Sequence, residues 1–455
     1  MEASFFSAFV DVLLLKHYNT RLVMLSTGLL GAASGLVGSF LLLRKRSLIG
    51  DALSHAALPG IGLMFMFMVL AGGTGKALGG LLLGAAVTGV LGVGMVLAIR
   101  NTTPLKDDTA MGIVLSVFFG IGIAILGMVQ TMPQASAAGL ETFIYGKTAS
   151  MVRQDLILIA ISAALSLIAV IVFYKEFTLL CFDEQYASSQ GWPVLLLELL
   201  LMALVCVVTV VGLQAVGLIL IIALLITPAA AARFWTHRMG TTLWLAGIIG
   251  GISGWLGAGV SALFPRLPAG AVIVLMAATV FLFSLIFGSA RGVLRRVSLA
   301  ARLRKKVGRQ HLLRAAFELM EADAEALGVP VRNTPVPLER LERHRSWHPA
   351  EVRKLLNTAR REDHLEPAES GLVRLSEAGY GEAQRITRNH RLWEMYLIEH
   401  ADVAPGHVDR DADMVEHILG ADLVRKLEDE LARRVSAREV VPPSPHGALC
   451  EGDAV

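Results

Sequence analysis

Residues 49–60 read Ile49-Gly50-Asp51-Ala52-Leu53-Ser54-His55-Ala56-Ala57-Leu58-Pro59-Gly60 and open a long apolar run. Two ionisable side chains interrupt that run. On a helix, residues four apart lie on one face, one turn apart, so Asp51 and His55 are expected to point the same way. A carboxylate beside an imidazole is a donor pair that suits a divalent transition metal. Ionisable groups at membrane depth are costly and mark function by default. An N-cap role after Arg44-Lys45-Arg46 would account for Asp51. It leaves His55, a turn deeper, without a reason. The stretch therefore reads as a membrane-spanning helix that carries a metal pathway.

The remainder of the chain supports a membrane class. It is 54% hydrophobic and contains 44 glycines, with a mean hydropathy of +0.60, which suits close-packed transmembrane helices. Charge is distributed unevenly. Residues 1–290 hold 14 Lys/Arg and 11 Asp/Glu, and the last 165 residues hold 27 of each. A membrane domain (1–290) is thus expected to precede a water-soluble appendage. Cys181, Cys206 and Cys450 form no CxxC, so no disulfide framework or zinc knuckle is indicated.

Nine apolar runs reach or approach spanning length, at about 22–43, 51–70, 77–99, 109–130, 155–174, 194–212, 214–235, 241–263 and 269–288. The sixth and seventh are so close that eight or nine crossings fit. Basic residues cluster on alternate loops: Arg44 to Arg46, Arg100 with Lys106, Lys175, Arg233 with Arg238, and 291–309. These loops are expected to be cytoplasmic, which puts the soluble half in the cytoplasm and the chain in the plasma (inner) membrane.

Three further features bear on mechanism. The polar segment Phe182-Asp183-Glu184-Gln185-Tyr186, continuing to Pro193, suits a short cytoplasmic helix that docks on a partner. Thr227-Pro228 interrupts an apolar run and predicts a kink. Glu198, near a span end, is expected to snorkel. The Asp51/His55 motif, the segment Leu224-Leu225-Ile226-Thr227-Pro228-Ala229-Ala230 and Phe182-Asp183-Glu184 together resemble the permease of ABC importers for manganese, zinc or iron, over about residues 15–290. The resemblance implies that Asp51 and His55 bind the ion in transit. It implies that Phe182, Asp183, Glu184, Gln185 and Tyr186 belong to a coupling helix seated on an ATPase. The implied partners are that ATPase, a periplasmic or lipid-anchored metal-binding protein, and a second copy of the permease or a related one. Gly72-Gly73-Thr74-Gly75-Lys76 has no glycine at position 70 and no Ser/Thr after the lysine, so it is not a phosphate-binding loop. A transport subunit is expected rather than an enzyme, with ATP hydrolysis on a separate chain.

Residues 291–309 hold eight Lys/Arg and no acid, as a juxtamembrane linker would. Residues 310–380 then read as a small winged helix: an amphipathic helix over 312–326, a short one over 338–344, a third beginning at Pro349, and a wing over 369–375. The third helix turns Val352, Leu355 and Leu356 inward and Arg353, Lys354, Arg360 and Arg361 outward, making these four the candidate DNA contacts. In residues 381–455, His390 and Glu394 are i, i+4, and Asp409, Asp413, Glu416 and His417 occupy neighbouring helical positions. Two helices each offering His and carboxylates suit a divalent metal. This half, about 310–447, resembles the DtxR-type metal-dependent repressors. By resemblance, His390, Glu394 and Asp409 fall on one metal site, and Asp413, Glu416, His417 and His311 on the other, in a helical metal-binding and dimerisation domain. The fold class expected is an all-α polytopic membrane protein of about 8–9 transmembrane helices with a cytoplasmic winged-helix and helical domain. The expected function is import of a divalent metal, manganese favoured over zinc or iron, with a fused metal sensor. The alternative is a membrane-tethered or proteolytically released repressor bound to operator DNA.

Overall fold

The computed structural model describes residues 16–44, 49–73, 77–132, 148–264, 267–344, 347–366 and 371–400. The chain divides into two compact units, residues 1–296 and 297–455.

The first unit is helical throughout its described residues. Its long helices are α1 (Tyr18–Leu43), α2 (Ile49–Leu70), α3 (Leu78–Thr102), α4 (Asp107–Gln130) and α5 (Arg153–Val172). Two short helices follow, α6 (Tyr174–Phe182) and α7 (Glu184–Ser189). Then come α8 (Val194–Val216), α9 (Leu218–Ala232), α10 (Met239–Leu263) and α11 (Ala269–Phe287). Among the described residues, eight of these helices are long and apolar enough to cross a membrane. The other three are the short α6 and α7 and the 15-residue α9. The run expected over 214–235 is shorter because α8 continues to Val216, and the chain turns at Gly217, whose φ of +86° favours glycine. The kink expected at Thr227-Pro228 does not end the helix, since α9 runs through both to Ala232.

The most enclosed helix is α1, which packs against α10, α5, α9 and α8. Phe40, Leu30 and Leu41 of α1 join Phe65, Ile61, Leu201 and Leu213 in a buried apolar core. Outer faces remain apolar, with Leu275, Leu282 and Phe283 of α11 exposed, as contact with lipid tails requires. Small residues set the closest crossings. A methyl group at Gly60 of α2 would lie 2.0 Å from the carbonyl oxygen of Gly84 in α3 and 2.2 Å from Thr88 Oγ1. The two backbones meet there because neither glycine has a side chain.

The second unit has its own core. The helix α12 (Val293–Leu327) leads into β1 (Val336–Pro337), α13 (Leu338–His344), α14 (Pro349–Arg361), β2 (Leu372–Val373) and α15 (Glu377–His400). The strands are antiparallel, with Val336 opposite Val373 and Pro337 opposite Leu372. Leu312, Phe317, Leu341, Val352, Leu356, Leu375 and Ile386 are buried together. The start of α14 is specified locally: Pro349 fits the first turn, where its missing N–H is no loss, and His348 Nδ1 accepts the Ala350 N–H at 3.3 Å. Residues 291–309 are helical from Val293 onward, because the basic stretch contains no proline and continues directly into the amphipathic segment. Residues 369–370 of the expected wing lie outside the described residues, and Leu372 and Val373 form β2.

Candidate metal sites

Helix α2 begins at Ile49, so Asp51 falls in its first turn and His55 one turn further along. The spacing delivers contact: His55 Nε2 lies 3.3 Å from Asp51 Oδ1. Both side chains keep partial access to space, 29% for Asp51 and 15% for His55. The second ring nitrogen, Nδ1, is buried with no hydrogen-bond partner among the described residues. The ring stands edge-on to Phe119 of α4, with centroids 4.7 Å apart. Phe119 was not foreseen, and an aromatic in an apolar run carries no signal that would single it out. Below the pair, Ser54 Oγ donates to the carbonyl of Gly50 at 2.7 Å and satisfies itself within the helix. The arrangement is a carboxylate–imidazole pair held by a helix on one side and an aromatic edge on the other.

The short helix α7 is specified by its cap. Asp183 precedes it and its Oδ1 accepts the Tyr186 N–H at 2.8 Å. Gly191, at φ +80°, turns the chain away just beyond the last turn. Phe182, Tyr186 and Trp192 are exposed around it. Exposed aromatics beside a polar helix form the kind of surface that interfaces enrich. Glu184, by contrast, faces the long helices: its carboxylate receives Arg44 Nη2 at 2.8 Å and Arg100 Nη2 at 3.2 Å.

Glu198 departs from expectation. It does not snorkel to an interface; it is 3% exposed and bound by Arg100 Nη1 at 2.9 Å, with Arg44 Nη2 at 3.8 Å. The reason is local supply of cations. Arg100 and Arg44 end α3 and α1 at the same level, so burial of Glu198 is compensated by charge-assisted hydrogen bonds. A carboxylate in an otherwise apolar helix, matched by arginines at other helix ends, was the signal available.

In the second unit the expected ligands are only partly within the described residues. His390 and Glu394 of α15 are buried, and His390 Nε2 lies 3.1 Å from Glu394 Oε1. The guanidinium of Arg314, also buried, reaches His390 Nδ1. A guanidinium can only donate, so Nδ1 is the acceptor and the ring proton resides on Nε2, facing Glu394. As it stands this pair is a charge cluster, and a metal on either ring nitrogen requires that cluster to open. His311 lies on α12, half-buried and one turn before Arg314. Asp409, Asp413, Glu416 and His417 lie outside the described residues. Among the described residues, no three His, Cys, Asp or Glu side chains gather as a metal would need. Nearby, Glu318 meets Arg314 Nε at 3.2 Å and His344 Nε2 at 3.4 Å. Burial works to raise the Glu318 carboxyl, but the hydrogen bond with His344 and the charge of Arg314 outweigh it and hold it below the usual carboxylate range. Arg353, Lys354, Arg360 and Arg361 all lie exposed along α14, opposite the buried Val352, Leu356 and Ala359.

Comparison with known proteins agrees with this division. The ABC 3 transport family matches residues 16–288, and the iron dependent repressor, metal binding and dimerisation domain matches residues 376–436. A manganese transport system membrane protein, MntC of Bacillus subtilis, is 41% identical over 398 residues, covering 87% of this chain and 88% of its own. A zinc transport system membrane protein, TroC of Treponema pallidum, is 46% identical over 292 residues, 63% of this chain and 96% of its own. The solved structure of PsaBC from Streptococcus pneumoniae in complex with Fab aligns with a TM-score of 0.55 at 31% identity, covering 66% of this chain and all of that one. Spanning helices, the motif at residues 50–60 and the match over more than half its length lead to one conclusion: the chain belongs to the ABC 3 transport family and carries a repressor-type metal-binding and dimerisation domain after its membrane unit.

Proposed function

We propose that this chain is the membrane permease of an ABC importer for a divalent transition metal, with manganese as the favoured substrate and zinc or iron as the alternatives. The observation that carries the proposal is the Asp51–His55 pair, 3.3 Å apart within a spanning helix and with a partnerless buried ring nitrogen. Nitrogen and oxygen donors of this kind suit manganese, iron(II) and zinc alike, and relatives bear manganese and zinc names. Asp51 and His55 would take the ion in transit by exchanging their mutual contact for the metal. The energy would come from a separate ATPase, docked on α7 through Phe182, Asp183, Gln185 and Tyr186. A metal-binding protein outside the cell would deliver the ion, and a second permease copy or related chain would complete the pathway. The C-terminal unit would be cytoplasmic.

For that unit we propose metal-responsive control, exerted on transport or on operator DNA through Arg353, Lys354, Arg360 and Arg361. Its two short strands, with α12, α13 and α14 around them in sequence, support a winged-helix reading. Metal would enter through Asp409, Asp413, Glu416 and His417 with His311, while His390 and Glu394 would join only on release of Arg314. The rival reading, a tethered repressor whose spans merely localise it, is disfavoured because an anchor needs one span and eight helices here qualify.

The deciding experiment is uptake of radioactive manganese by cells expressing Asp51→Ala or His55→Ala. Both variants should insert and assemble with the ATPase yet lose uptake. Wild-type uptake in both would refute the assignment.

A further inference from the structure

Five charged side chains gather near helix ends in the membrane unit, and two of them, Arg44 and Glu198, are buried. Glu198, in the second turn of α8, is nearly fully buried and pairs with Arg100 of α3 and Arg44 at the end of α1. Glu184, the first residue of α7, accepts a hydrogen bond from each of the same two arginines, at 2.8 Å from Arg44 and 3.2 Å from Arg100. Asp107, in the first turn of α4, lies 3.5 Å from Arg100 Nε. Five helices therefore meet through five side chains. Each arginine is shared between a carboxylate of the short helix and a carboxylate of the bundle.

Their location gives the sharing a consequence. Arg44 precedes α2 by five residues, and Arg100 ends the helix that clasps α2 at the Gly60–Gly84 crossing. Arg100 and Asp107 also line a small apolar cavity with Ile49, Ala52 and Leu53 of α2, the residues on either side of Asp51. Any movement of α7 changes how Glu184 competes with Glu198 for Arg44 and Arg100. Glu184 is 39% exposed and can give up its arginines to water, whereas Glu198 is 4% exposed and must keep a cationic partner, so withdrawal of α7 shifts both arginines toward Glu198. That shift acts on the segments flanking Asp51 and His55.

We propose that Glu198, Arg44 and Arg100 are positioning residues that transmit displacement of α7 to the metal pair. Glu198 is the fixed post and Glu184 the moving one. The proposal rests on the reading of α7 as the ATPase-docking helix. It assigns Glu198 no contact with the metal and none with the ATPase.

The test uses the full chain reconstituted with its ATPase in vesicles, with manganese delivered by the metal-binding protein. Glu198→Gln keeps size and removes the charge. The complex should still assemble and hydrolyse ATP, but manganese carried per ATP should fall roughly tenfold, within the range of site-to-site coupling. Glu198→Asp, which restores the charge beside Arg100, should recover part of that ratio, whereas a merely structural role would show as altered melting or assembly in Glu198→Gln and not as an altered ratio. If Glu198→Gln fails to fold, Arg100→Lys, which keeps charge but loses the forked geometry, should lower the same ratio. An unaltered ratio in the folded variant, or loss of ATPase assembly in place of coupling, would overturn the proposal. The docking reading is tested apart from it, since Phe182→Ala and Tyr186→Pro should reduce ATPase binding. If they do not, that reading falls whatever Glu198 does.

Discussion

The crossing of α2 and α3 offers a test in which Asp51 and His55 are left untouched. In Gly60→Ala, the new methyl would lie 2.0 Å from the Gly84 carbonyl oxygen and 2.2 Å from Thr88 Oγ1. Non-bonded heavy atoms settle at about 3.5 Å, so the helices must part by roughly 1 Å or more at that level. Forcing bulk into a packed interior costs about 1–3 kcal/mol, against a gain of up to ~1 kcal/mol from replacing glycine in a helix. The net stability loss should be about 0–3 kcal/mol by those same terms. The functional loss should be larger, because misplacing reacting groups by about 1 Å can cost on the order of a hundredfold in rate. Gly94→Ala, on the same helix α3 with nothing within 4 Å of its new methyl, is the control and should hold or gain stability. Manganese uptake by cells and thermal unfolding in detergent measure the two effects separately. Wild-type uptake and melting in Gly60→Ala, or equal damage in Gly94→Ala, would refute the reasoning.

Two further expectations concern the C-terminal unit. If α14 reads DNA, Arg353→Ala and Lys354→Ala should weaken binding across sequences and each reduce the salt slope by about one. Gel-shifts with and without manganese check this, and absence of binding under both conditions would leave control of transport alone. The second expectation is acid sensitivity. Glu318 is held below its ordinary range by His344 and Arg314 despite its burial, and Glu362 likewise by its hydrogen bond to Arg309, against a smaller effect of burial. A carboxyl whose folded pKa is depressed contributes stability in full above its unfolded value of about 4.3, and loses it as pH falls through the folded value. Denaturation of this unit, followed by Trp347 and Trp393 fluorescence, should show a plateau near neutrality and a decline below about pH 4.3. Glu318→Gln should flatten that decline; an unchanged profile would mean the charge is not needed.

The sequence was most legible where a single segment determines its own structure. Hydropathy located most of the spans, the i, i+4 spacing of Asp51 and His55 became a 3.3 Å contact, and the polar run that begins at Phe182 contains the short helix α7. Legibility failed where distant segments meet. Arg44 and Glu184 are 140 residues apart and Arg314 and His390 are 76 apart. No local pattern pairs them, so Glu198 was expected to snorkel, and the contact of Arg314 with His390 left no sign in the sequence. The turn at Gly217 was placed a few residues early, between the runs 194–212 and 214–235, because hydropathy responds to Gly212 and Gln214 whereas a backbone angle leaves no mark on it. Thr227-Pro228 drew attention instead, although a proline near a helix end can be accommodated by its neighbours.

That turn has a physical consequence. With 15 residues, α9 rises about 22 Å, whereas the hydrocarbon layer is about 30 Å thick. The polar backbone around Gly217 cannot face lipid tails and must meet protein or water. The turn therefore has to sit inside the bundle, which fits the burial of Gln214, Ala215 and Val216 beside it. A helix too short to cross alone is thus held by its neighbours and not by lipid.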